Sequence, residues 1–144
     1  MKKLILGVLA LCSYLSAEAC TNFIATRGAT TDGSVFVTYS ADDYGMFASL
    51  CHYPAGKHPK GAKREIVDYD SGERHGFIDE APETYNVIGN INEYQVSIGE
   101  TTYGGRKEMV DNTGLIDYGS LMYLGLQRSK TAREAIKIMT DLVE

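Results

Sequence analysis

The stretch CTNFIATRGATTDGSVFVTYSADD, residues 20–43, constrains the fold more than any other part of the chain. Two β-rich runs, Thr21 to Thr26 and Val35 to Ser40, flank the turn signal Thr31-Asp32-Gly33-Ser34. β-branched and aromatic residues suit a pleated strand, and Asp-Gly supplies the positive-φ corner that closes a hairpin. Antiparallel pairing returns the end of the second run to the start of the first. Asp42 therefore falls near Cys20, with Asp43 as the next carboxylate along and Asp32 assigned to the turn.

What precedes Cys20 reads as an export signal. Lys2 and Lys3 form a short positive segment, and Leu4 to Leu15 is an apolar run interrupted only by Gly7 and Ser13. Ala17 and Ala19 then occupy the −3 and −1 positions of a small-residue cleavage site. A bilayer-spanning helix needs roughly 20 apolar residues, so the run is a signal core rather than a span. The expectation is a cleaved leader over residues 1–19 and a mature domain over residues 20–144, periplasmic or extracellular, with no membrane span after cleavage. An uncleaved anchor is the alternative. Losing Lys2, Lys3 and Glu18 takes the formal net charge from −5 to −6. Mild acidity without Lys/Arg blocks argues against nucleic acid or an anionic membrane as partner.

Beyond the first hairpin, Pro54, Gly56, Pro59 and Gly61 punctuate an irregular stretch from Met46 to Arg64. A strand over Arg64 to Tyr69 and a surface loop over residues 71–85 follow. A second hairpin is expected from Tyr85 to Ile88, a turn at residues 90–93, and Tyr94 to Gly99 with Val96 and Ile98 on one face. Leu121, Leu124 and Leu126 mark a helix over residues 117–128, and Thr131-x-x-Glu134 has capping-box form. Ala132, Ala135, Ile136, Met139, Leu142 and Val143 then recur at helical spacing up to the last residue, with no stop signal. That pattern predicts the front part of a longer protein. Strands followed by a helical pair predict an α+β fold.

The chemistry centres on Cys20. Only a thiolate attacks, and a free cysteine near pKa 8.5 needs a base at neutral pH. His52, His58 and His75 stand in no recognisable Cys-His frame. Cleavage after Ala19 would supply another base, the α-amino group of Cys20 itself, with an ordinary pKa of about 7.7–8.0. One cut would create nucleophile and base together. Such a site also needs a carboxylate to orient the ammonium, for which Asp42 is the candidate and Asp43 the fallback, and donors for the tetrahedral oxyanion.

The Cys20 stretch, followed by INEYQVSIGETTYGGRKEM and LGLQRSKTAREAIKIMTDLVE, resembles the N-terminal part of the C69 dipeptidase family. These are N-terminal nucleophile hydrolases related to choloylglycine hydrolase and penicillin V acylase. The resemblance implies an αββα sandwich, here an incomplete N-terminal portion, and hydrolysis of a small peptide or related amide. It also implies that Cys20 is a nucleophile exposed by processing, that Asp42 holds its α-amino group, and that no cofactor or metal is used. Relatives carry Arg-Asn-x-Asp or Arg-Asn-Glu-Asp on the second strand, whereas this chain has Tyr39-Ser40-Ala41-Asp42, so Tyr39 stands at the arginine position. Relatives also place an oxyanion-hole asparagine after the second hairpin, where this chain has Gly99-Glu100-Thr101-Thr102. An ionised Glu100 cannot donate, which leaves Thr101 or a backbone N–H there. Asn92 is a further candidate contact, with stabilisation of the hairpin turn by Asn92 and Glu93 as its alternative.

Three other readings compete. A lipoprotein would acylate Cys20 and consume the amine, although Ser16-Ala17-Glu18-Ala19 lacks the leucine expected at −3. A disulfide between Cys20 and Cys51 would make an exported binding domain. A metal site from Cys51, His52, His58 and His75 fits no standard zinc spacing.

Overall fold

A computed structural model describes residues 20–41, 50–101, 105–111 and 113–144. Residues 1–19, expected to be a leader, and the pair Asp42 and Asp43 lie outside the described residues. The described chain forms two compact units, one of residues 20–41 with 100–101 and one of residues 50–99, 105–111 and 113–144.

In the first unit, β1 (Thr21–Ala25) pairs antiparallel with β2 (Phe36–Ser40), in register from Thr21↔Ser40 to Ala25↔Phe36. The connection holds a 3-10 turn at Arg27–Ala29 and then the Asp-Gly corner, where Gly33 takes φ +74°. Asp32 Oδ1 accepts the Ser34 N–H at 3.0 Å and the Ser34 hydroxyl at 2.5 Å. Those two bonds hold the Asp32 carboxyl below its ordinary pKa. Asp32 is thus a turn residue, as its position predicts. Side chains alternate across the hairpin, so Phe23 and Phe36 share one face while Asn22, Ile24, Val37 and Tyr39 share the other. Phe23 and Ile24 are 70 % and 69 % exposed, so the hairpin carries large apolar groups on both faces.

The second unit is built from short strands and two helices. The strands are β3 (His52–Tyr53), β4 (Gly56–Lys57), β5 (Lys63–Val67), β6 (Arg74–Asp79), β7 (Glu83–Thr84), β8 (Val87–Ile88) and β9 (Ile91–Asn92). Antiparallel pairing joins β3 to β8, β8 to β9, β4 to β7 and β5 to β6. Three sequence expectations are corrected here. The stretch read as irregular contains β3 and β4, each two residues long and so too short to show a period. The segment read as a surface loop contains β6, where Gly76 and a register shift at Ile66/Val67 interrupt the alternation. Residues 94–99 make only a bridge from Ser97 to Ile91 rather than a strand. Gln95 sits at φ +64°, and the Asn92 side chain takes the Tyr94 and Val96 N–H groups that a ladder would use.

The helices, α1 (Tyr118–Arg128) and α2 (Ala132–Val143), start where their caps predict. Asp117 accepts the Ser120 N–H at 2.9 Å, and Thr131 with Glu134 completes a capping box. Each such cap contributes about 1 kcal/mol. Helix α1 buries Met122, Tyr123, Leu124, Leu126 and Gln127, more than one stripe, so it is the central element of this unit. Its glycines permit close approach. A Cβ on Gly119 would lie 2.6 Å from the Cβ of Tyr69, and one on Gly125 would lie 2.9 Å from Met139 Cγ on α2. Val87, Val96, Tyr123, Leu126 and Ala135 form the core. Of the apolar face of α2, Ala135 is buried and Met139 and Leu142 half-buried, while Ile136 and Val143 stay exposed. Mixed strands with two helices make the fold α+β.

Candidate active site

Cys20 immediately precedes β1 and is half-buried. The next same-face residue along the strand is Asn22, and the register sets Asn22 opposite Tyr39. Residues 100–101 belong to this unit and are tied to both strands of the hairpin. Asn22 Nδ2 donates to the Glu100 carbonyl. Tyr39 donates its phenol proton to Glu100 Oε2 at 3.0 Å, and Thr101 donates its hydroxyl proton to the Cys20 carbonyl at 3.0 Å. One thiol, one carboxylate, one phenol and one hydroxyl are therefore gathered at the start of the hairpin. The set holds a thiol and hydrogen-bonding groups able to position a polar substrate.

The structure brings Tyr39 and Thr101 into the unit of Cys20, whereas Asp42 lies outside the described residues. Asn92 is a correction. It belongs to the second unit, where its amide is buried and fully committed. Nδ2 donates to Leu126 O at 2.8 Å and Ser129 O at 2.7 Å, and Oδ1 accepts the Tyr94 and Val96 N–H groups at 3.0 Å each. A side chain whose donors are both spent has none for an oxyanion. Asn92 stabilises the turn and fastens it to the end of α1. Glu93 assists by accepting the Asn86 N–H at 2.7 Å.

Asn22 was not singled out by sequence, and Glu100 was weighed there only as an oxyanion donor and set aside. The available signal for Glu100 was an ionisable residue between Gly99 and Thr101, at the place where relatives need a donor.

Other chemistry-bearing residues disperse. His52 pairs with Asn86 Oδ1, His58 with Thr84 Oγ1 and His75 with the Leu115 carbonyl. No group of three metal-ligating side chains occurs among the described residues. A cavity of about 570 Å³ opens in the second unit, between β5 and α1, with Tyr53, Tyr69 and Tyr123 in its walls. Burial, then the Tyr69 hydrogen bond, pushes the Tyr123 phenol well above its ordinary pKa. That phenol stays neutral.

The sequence profile of peptidase family C69 matches residues 19–144. The chain belongs to peptidase family C69. No solved structure matches it. The C69 match takes in the Cys20 hairpin, the Glu100–Thr101 segment and both helices, so the gathered side chains belong to a peptidase.

Proposed function

We propose that this C69 chain is an exported cysteine peptidase that hydrolyses dipeptides or related small amides through an acyl-thioester on Cys20. The observation that carries the reading is the placement of Cys20. It opens the β1–β2 hairpin beside Tyr39, Glu100 and Thr101, in a chain whose family match begins one residue before it. The apolar residues on both faces of that hairpin support a strand pair covered on two sides, as the inner layers of an αββα sandwich would be.

In the proposed cycle, removal of residues 1–19 frees the Cys20 α-amine, which accepts the thiol proton. The thiolate adds to the substrate carbonyl. Thr101 spends its hydroxyl on the Cys20 carbonyl, which leaves its backbone N–H as the candidate to face the developing oxyanion. Collapse breaks the C–N bond, and the amine product leaves with the proton held by the ammonium. Water, deprotonated by the same amine, then hydrolyses the thioester and restores the thiol. Asp42 holds the ammonium in position.

The first test is intact mass and N-terminal sequencing of the protein exported by its native host. The expected chain starts at unmodified Cys20. A retained leader or an acylated Cys20 would remove the base and favour an anchored protein. A second test separates the two carboxylates. Asp42→Ala is expected to lower kcat about 100-fold or more, because an unoriented base loses most of its catalytic benefit. Asp43→Ala should leave kcat within about twofold. Equal effects would remove the Asp42 assignment.

A further inference from the structure

Glu100 is half-buried on the hairpin face that carries Cys20, and its carboxylate receives a hydrogen bond from the Tyr39 phenol. None of the ion pairs among the described residues involves it. Its other oxygen, Oε1, has no hydrogen-bond partner among the described residues. Beside it, Asn22 Oδ1 is buried, also without a partner among those residues, while the Asn22 amide group donates to the Glu100 carbonyl. The segment is held on both sides, by Asn22 and Tyr39 at Glu100 and by Thr101 at the Cys20 carbonyl. The site therefore offers acceptors and one negative charge, with no cation supplied by the described residues. Buried polar groups ask for partners, and a half-desolvated carboxylate asks for a cation.

We infer that Glu100 reads the α-ammonium of the substrate's first residue, confining the enzyme to peptides with a free amino terminus. This rests on Cys20 being the nucleophile. Covalent geometry makes the match. In a dipeptide the α-nitrogen lies about 2.5 Å from the carbonyl carbon that is attacked, two bonds away. A substrate whose carbonyl meets Cys20 thus carries its ammonium alongside, where its charged donors suit the Glu100 carboxylate. Acylation would remove the charge and two of the donors. Tyr39 is a positioning residue here, since its phenol fixes the carboxylate without neutralising it. A basic side chain at position 39 would pair with Glu100 and compete with the ammonium.

The test compares the mature enzyme with Glu100→Gln and Tyr39→Phe on a dipeptide and on its N-acetyl derivative. The wild type is expected to favour the free dipeptide by about 100-fold in kcat/KM. E100Q should lose most of that preference through KM, with the acetylated substrate nearly unaffected, and Y39F should raise KM for the free dipeptide about fivefold. An unchanged preference in E100Q would overturn the assignment. So would an equal loss of kcat on both substrates with a shifted acid limb of the pH profile, which would give Glu100 to the Cys20 amine instead. Calorimetric binding of the dipeptide to Cys20→Ala, with and without E100Q, reads the same contact without turnover. If the wild type cleaves neither substrate, the catalytic reading fails, and the calorimetric pair still decides the role of Glu100. Equal affinities in that pair would refute it.

Discussion

Mature protein carrying Cys20→Ala is expected to show turnover of a dipeptide reduced by about 10⁴-fold or more, with its fold intact. The magnitude follows from the role. A nucleophile that forms a covalent intermediate divides one high barrier into two lower ones, and the remaining groups cannot replace it. The fold should survive because the Thr101 hydroxyl contacts the backbone carbonyl of residue 20, not the thiol, and the β1–β2 register begins at Thr21. Stability should shift by less than about 1 kcal/mol, the usual range for a change this small at a half-exposed site. Initial rates and a denaturation midpoint on the same preparation give both numbers. Near-full activity in a correctly matured variant would sink the acyl-thioester mechanism. Lost activity together with a lowered midpoint would show only that the hairpin depends on the thiol.

Legibility in the sequence tracked the reach of each interaction. The β1–β2 hairpin was readable because its corner is local, with Asp32 bonding Ser34 two residues away. Both helix starts were readable for the same reason, since Asp117 and Thr131 cap groups three residues on. Strand β6 was not readable. Its Arg-His-Gly-Phe run has no clean alternation, and its partner β5 lies across the turn at Asp68–Gly72. At the candidate site, the Tyr39 and Thr101 positions came from the resemblance to known enzymes, and the structure places both beside Cys20's strand. The Tyr39–Glu100 bond spans 61 residues, and no local pattern encodes it. Asn92 illustrates the opposite failure. An asparagine in a turn looks available to a ligand until the distant carbonyls of Leu126 and Ser129 are known to claim its amide.

That claim sets the second large effect. Asn92→Ala should destabilise the second unit by roughly 3–4 kcal/mol, because it strands four polar groups at once. Leu126 O and Ser129 O lose donors at the end of α1, and the Tyr94 and Val96 N–H groups lose their acceptor. The site is enclosed, with Ser129 and Leu126 fully buried, so water has little access to repair the loss. Asn92→Asp should be nearly as harmful, since a carboxylate can still accept from Tyr94 and Val96 but repels the two carbonyls. Asn90 provides the control. Its amide makes a single part-buried bond to the Ile98 carbonyl at 2.9 Å, so Asn90→Ala should cost about 1 kcal/mol. Against a total stability of about 5–15 kcal/mol for a typical domain, the Asn92 change alone can populate unfolded protein at growth temperature. Chemical denaturation of the three variants measures the ranking directly. If Asn92→Ala kept a normal midpoint and lost kcat/KM instead, the residue would be a substrate contact after all, and its buried bonds would not be what retains it.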